Sequence, residues 1–189
     1  MTHMQGEILF LLDHLVGLNH EFICEAILRL LLKEPAKYKD KRPSITEAAV
    51  SLSDGKQNFQ LCMQQKQIPP ESENSLFGTV DIVATSPEAG IYRLMIRPKM
   101  TIPCHFHRQM SESELVLSQG LILQGLPVRS GSARTWPAEY CHEYYNPGDE
   151  TLAVLCIDRP GFIPEDEIIC DRPVSGLQDL PPSCIRSYW

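Results

Sequence analysis

The chain has no apolar run approaching the ~18 residues a membrane-spanning helix requires. Its longest apolar stretch, residues 8–18, is broken by Asp13 and His14. That stretch also lacks a basic start and a small-residue cleavage site, so it does not read as a secretory leader. Basic clusters of nucleic-acid type are missing as well. The densest, Lys37-Tyr38-Lys39-Asp40-Lys41-Arg42, is short and broken by an acid, and the formal net charge is −7. No electrostatic footprint for DNA or RNA is present. There is no C-x-x-C pair. The seven cysteines (Cys24, Cys62, Cys104, Cys141, Cys156, Cys170 and Cys184) are odd in number and irregular in spacing. This argues against a secreted disulfide framework and for reduced thiols in a cytoplasmic protein. Internal repeats and low-complexity tracts are also lacking.

What is present is an ordinary globular composition, 43% hydrophobic and 22% charged over 189 residues. Such a length suits one medium domain, or a small domain with an appendage. From Asn19, a suitable N-cap, Phe22, Ile23, Ala26, Ile27, Leu30 and Leu31 recur at helical spacing, and Pro35 ends the pattern. Residues 8–18 read as a preceding helix or the start of the same one. Ala48, Val50 and Leu52, then Asp54-Gly55, then Phe59, Leu61 and Met63 spell a β-hairpin.

These patterns divide the chain into a helix-plus-hairpin segment (1–63), a polar linker carrying Pro69-Pro70 (64–75), a strand-rich domain (76–168) and an irregular tail (169–189). Within the third region, short strands are expected at 76–84, 91–97, 104–107, 112–117, 121–124, 133–136, 141–145 and 151–157. Each is bounded by Gly, Pro, Ser or Asp. Many short strands with frequent turns predict a sandwich or barrel.

His105-Phe106-His107 is an H-x-H pair. On a strand, side chains repeat every two residues, so both imidazoles point to one face. Glu112 follows with four residues between, ahead of Leu115-Val116-Leu117, and Ser118-Gln119-Gly120 ends that run. Further on, Gly131 precedes Pro137 by six positions, His142 follows by five, and Asn146 comes four later.

At these residues the chain resembles the cupin superfamily. Its first motif is roughly G-x5-H-x-H-x4-E-x6-G and its second G-x5-P-x-G-x2-H-x3-N. The chain departs from them at Lys99, Gln119 and Glu139, where the family usually has glycine, and Gly120 can take over one turn by a shift of one residue. The resemblance implies a mainly β fold: a cupin-type jelly-roll β-barrel preceded by an N-terminal helix and β-hairpin. It also implies His105, His107, Glu112 and His142 as ligands of a divalent transition metal.

Glu114 lies two residues past Glu112 and shares its face. Spacing favours Glu112 as the ligand, leaving Glu114 as a supporting group, an acid–base group or a rim residue. Tyr140 and Tyr144 should share the face of His142, and Glu114 or Tyr144 is the candidate to move a proton. Arg93 or Arg97, if turned inward, would pair with an anionic substrate; the barrel exterior is the other reading. Alternation turns Cys104 and Cys141 away from the metal, as small buried hydrophobes.

Three neutral imidazoles and a carboxylate suit Fe, Mn, Ni, Cu or Zn rather than Ca or Mg. Four ligands on an ion that accepts six leave positions for water, dioxygen or a chelating substrate. Protonation of the imidazoles below about pH 6 should weaken binding.

A second resemblance covers about residues 8–63. His20-Glu21-Phe22-Ile23-Cys24-Glu25-Ala26-Ile27 and Val50-Ser51-Leu52-Ser53-Asp54-Gly55 look like the C-terminal half of dihydroneopterin aldolase. Glu25 approximates the pterin-anchoring glutamate. Asp54 stands near where a catalytic lysine is expected, so aldolase activity should be absent.

Three functions follow. The chain is a metal-assisted oxygenase, isomerase or lyase acting on a small polar or anionic metabolite, a non-catalytic small-molecule sensor, or a folate-pathway protein with a degenerate pterin-binding remnant. In each, the partner is a small molecule rather than nucleic acid or membrane, and edge strands offer a surface for a homodimer.

Overall fold

The computed structural model describes residues 3–19, 22, 23, 26, 27, 29, 30, 48–53, 58–63, 71–170 and 177–189. Helix α1 spans His3–His14 and buries Gly6, Ile8, Leu9, Phe10 and Leu11. It begins five residues before the apolar run that suggested it and ends at His14, whose Nδ1 lies 2.8 Å from the Phe10 carbonyl. Phe22, Ile23, Ala26, Ile27, Arg29 and Leu30 are helical too, and Ala26, Ile27 and Leu30 are buried, as the periodicity predicts. Glu25 and Asp54, which carried the aldolase resemblance, lie outside the described residues, as do Leu31 and Pro35. Strands β1 (Ala48–Ser53) and β2 (Asn58–Met63) form the expected antiparallel hairpin, with Ser53 opposite Asn58.

The remaining strands make two antiparallel sheets. They are β3 (Glu71–Ser75), β4 (Gly78–Thr85), β5 (Gly90–Ile96), β6 (Thr101–Phe106), β7 (Ser111–Val116), β8 (Ile122–Leu123), β9 (Leu126–Pro127), β10 (Ser132–Trp136), β11 (His142–Tyr145), β12 (Leu152–Arg159), β13 (Ile168–Ile169) and β14 (Ile185–Ser187). The seven-stranded sheet runs β14-β10-β7-β12-β5-β4-β3 and the five-stranded sheet β13-β6-β11-β8-β9. The barrel expected from the sequence thus takes the form of two facing sheets rather than one closed ladder.

Strand β12 shows how the layers are built. Leu155 and Ile157 pack with Ile8, Phe10, Leu11 and Leu15 of the helical layer, whereas Val154 packs between the sheets with Ile96, Val116, Trp136 and Tyr144. A strand covered on both faces reads as a near-continuous apolar run, and β12 is buried from Ala153 to Asp158. Burying each large aliphatic side chain contributes roughly 1.5–3 kcal/mol.

Two sequence expectations change. Residues 71–75, read as the end of a linker, are an edge strand whose side chains are nearly all exposed. Its pairing with β4 is mostly backbone, aided by Ser72 Oγ donating to Asp81 Oδ1 at 2.5 Å. A polar edge has no alternation to read, and its charge discourages pairing with other chains. The tail expected to be irregular instead carries β14, which pairs with β10 and closes that end of the large sheet.

Tyr188 Oη and the Arg186 guanidinium both donate to Asp13 of α1, at 2.8 and 2.9 Å. The Trp189 ring lies against Gly6 and Gly131, where a Cβ would come within 2.1 and 2.8 Å of it. Glycine in an exposed helix interior costs about 1 kcal/mol relative to alanine, so Gly6→Ala would ordinarily stabilise α1. Here it should lower the Tm, and it should raise the Tm in a Trp189→Ala background. Thermal melts of the two single variants and the double variant measure the coupling; additive shifts would refute it.

Candidate metal centre

Motif one lies across β6 and β7 and motif two across β10 and β11, so the candidate ligands arise on both sheets. His105 and His142 sit opposite each other on the β6–β11 ladder, and Glu112 projects toward them from β7. His107 follows the last residue of β6. One carboxylate oxygen, Glu112 Oε2, is 2.7 Å from His142 Nε2, 3.2 Å from His107 Nε2 and 3.9 Å from His105 Nε2. All four side chains are buried, and their four donor atoms lie within 4.8 Å of one another, close enough to hold a metal ion.

The other ring nitrogens are also accounted for. His105 Nδ1 lies 2.8 Å from the Pro103 carbonyl, His107 Nδ1 3.1 Å from that of Asp166, and His142 Nδ1 3.3 Å from that of Tyr140. An N–H that donates to a carbonyl from Nδ1 leaves the Nε2 lone pair for a ligand. The donor set therefore fits a transition metal both in chemistry and in orientation.

Charge at the centre is unevenly divided. Burial opposes ionisation of Glu112, but the three histidines outweigh it and hold the carboxylate well below its usual range. Burial likewise disfavours a charged His142, yet the charge and hydrogen bond of Glu112 raise it to about 9. His105, with burial and the His142 charge against it, falls to about 4. His107 is likewise opposed by burial but raised by its bond to Glu112, so the carboxylate favours protonation of His142 and His107 over His105.

Glu114 does not join this cluster. Its Oε2 accepts from Trp136 Nε1 and, at 2.8 Å, from Tyr144 Oη. Burial and the nearby Glu112 charge raise its carboxyl to about 7. Trp136 in turn stacks on the His142 ring, centroids 4.8 Å apart and 8° from parallel. Tyr144 is buried, on the face expected from alternation with His142 even though a bulge lies between them. Tyr140 packs at the margin of the inter-sheet core.

Neither arginine reaches the centre. Arg93 lies on the helix side of the large sheet and pairs with Glu7 of α1 at 3.3 Å, while Arg97 is exposed and donates to the Leu76 carbonyl. The anionic-substrate role considered for them is not supported by these positions.

Four residues around the centre escaped the sequence reading. Cys156 Sγ donates to Glu112 Oε1 at 2.8 Å and lies 3.1 Å from Asp158 Oδ1. Burial pushes both Cys156 and Asp158 well above their usual ranges. Two-residue alternation from Val154 along β12 was the available signal. Trp136 carried a signal only in adjoining Pro137 of motif two. Asp166 carried none, because its contacts span more than fifty residues of sequence. Its carboxylate accepts from the backbone N–H groups of Arg108, Gln109 and Met110 at 2.9–3.2 Å, and these bonds outweigh burial and keep it below its usual range. Asp166 thereby fixes the turn joining His107 to Glu112.

The departures from the glycine pattern are also explained. Lys99 and Glu139 adopt left-handed backbone, with φ of 62° and 69°, a region glycine occupies freely. Gln119 does not; Gly120, at φ 107°, makes that turn one residue later. Buried Asn146 serves its turn, donating to the Ile96 and Glu150 carbonyls and accepting from Gly148 N.

The architecture is mainly β, with the candidate ligands carried by strands of two antiparallel sheets. The chain matches no protein-family model and no curated protein. Among solved structures it is similar to CapF, a capsular polysaccharide assembling protein from Staphylococcus aureus (18% identity, 56% of this chain and 34% of that one, TM-score 0.49). It is also similar to an oxalate decarboxylase variant from Bacillus subtilis (14% identity, 53% and 30%, TM-score 0.45) and to Streptomyces Pac13, described as a unique nucleoside dehydratase (17% identity, 56% and 88%, TM-score 0.45). The matched region spans about a third of the CapF and oxalate decarboxylase chains. No helix among the described residues is long and apolar enough to cross a membrane.

Two outcomes are expected here. Asp166→Ala should leave the fold intact but weaken metal binding about 10–100-fold, read by competition with a chelating dye; unchanged affinity would remove Asp166 from the support of His107. Glu114 binds its proton more tightly folded (about 7) than unfolded (4.5). Its contribution to stability is therefore full below the unfolded value and lost as pH rises through about 7. Chelator-treated Glu114→Gln protein should gain Tm on the parent across that window. Parallel melting curves would contradict the assignment.

Proposed function

We infer that this chain is a metal-dependent cupin-type protein in which His105, His107, Glu112 and His142 hold one divalent transition metal (Fe, Mn, Ni, Cu or Zn), and that it acts on a small polar metabolite. The supporting observation is the convergence of three Nε2 atoms on Glu112 Oε2, with every Nδ1 beside a backbone carbonyl. The bound ion would supply Lewis-acid polarisation of an oxygen on the ligand.

The chain's own residues supply the rest. Cys156, kept as a thiol by burial, donates to Glu112 Oε1 and leaves Oε2 for the centre. Trp136, stacked on His142 and bonded to Glu114, fixes the imidazole plane. Glu114, raised to about 7, holds or releases a proton at neutral pH, with Tyr144 Oη as its partner. An acid–base role for this pair in isomerisation or elimination is the reading that best suits a buried carboxyl beside a polarising ion.

Elemental analysis of the protein as purified should find one transition metal, and His105→Ala should lose it with the fold retained by circular dichroism. Affinity should also keep rising with pH up to about 9, because the His142 proton must leave. That extends well above the limit of about pH 6 set by an ordinary histidine. A metal-free protein that binds none on titration, or an affinity that is flat above neutrality, would overturn this reading.

A further inference from the structure

The same alternation that turns His105 and His142 inward turns their neighbours Cys104 and Cys141 to the outer face of the five-stranded sheet. There they meet a third cysteine. Strand β13 pairs with β6, Ile168 opposite Phe106 and Ile169 opposite His105, and the ladder continues with Cys170 N donating to the Cys104 carbonyl at 3.0 Å. Cys170 therefore lies directly across from Cys104. Its Sγ is 3.1 Å from Cys104 Sγ and 3.1 Å from Cys141 Sγ, and all three sulfurs fall within 4.8 Å of one another. Cys141 is buried and the other two are half-buried.

We propose that Cys104, Cys141 and Cys170 form a second metal site, separate from the histidine centre, which binds a thiophilic ion such as Zn(II) or Cu(I). Three sulfurs with no oxygen or imidazole among the donors select soft ions and reject Ca and Mg. The spacing suits this use. Metal–thiolate bonds of about 2.3 Å in a trigonal site set the sulfurs about 4 Å apart, so each close contact opens by about 1 Å. A disulfide would employ only two of the three, and Cys170 stands equally near both partners; an ion engages the whole set. The half-buried position of Cys104 and Cys170 leaves a route for the ion from solvent.

The proposal does not rest on the histidine centre, and the test keeps the two apart. Reduced protein is titrated with Co(II) under anaerobic conditions. The parent should develop a near-ultraviolet thiolate-to-cobalt charge-transfer band. Cys170→Ser should lose that band and one bound ion while keeping the other. His105→Ala should keep the band. Should Cys170→Ser fail to fold, Cys104→Ser takes its place. Zn(II) should also shield the half-buried Cys104 and Cys170 together from alkylation, by peptide mass spectrometry, and leave Cys184 reactive. A parent protein with no thiolate band, a Cys170→Ser variant that keeps the band and both ions, or alkylation unaffected by Zn(II) would each overturn the assignment.

Discussion

A carboxylate buried between two sheets is costly unless its charge is matched, and Glu112 is such a group. The centre is arranged around it. One oxygen faces three imidazoles and the other takes the Cys156 thiol, so both oxygens have partners. Its charge has consequences along the inner face of the large sheet. It favours a proton on His142, and it helps raise Glu114 and Asp158 above the usual carboxyl range. Neutral carboxyls tolerate the dry interior that charged ones would not, and the core can therefore close over Trp136 and Tyr144 on one side of the cluster.

The legible part of this centre was the part governed by local geometry. His105 and His107 share a face because strands repeat every two residues. Tyr144 and Glu114 could be placed inside by the same count. Even the turn at Gly120 could be anticipated, since only one glycine stood near the missing one. Asp166 and the strand at 185–187 were illegible for the opposite reason: they matter through contacts made across the fold, and their own neighbourhoods carry no pattern. The polar strand at 71–75 was misread because its stabilisation is backbone pairing, which side-chain periodicity does not record. Arg93 shows a further limit. Alternation separated it from its neighbours but could not say that a helix, rather than the inter-sheet space, covers its face.

Strands β6 and β11 illustrate how much chemistry one ladder can carry. Their inward residues are imidazoles and their outward neighbours thiols, so adjacent positions in sequence serve opposite surfaces of the sheet. A register slip of one residue would exchange them. The backbone bond from Glu139 N to the His107 carbonyl, at 2.6 Å, and the left-handed turns at Lys99 and Glu139 pin the loops beside these strands. Side chains other than glycine hold those turns at some conformational cost, a sign that the loop path is set by its surroundings.

Trp136 is one of two tryptophans in the chain. Its indole lies flat on the His142 ring and its N–H ends on Glu114, so its excited state feels both the charge of the imidazole and the ionisation of the carboxyl. The molecule therefore carries its own optical gauge: emission from this buried ring should change with the protonation of groups a few ångströms away, without any added dye.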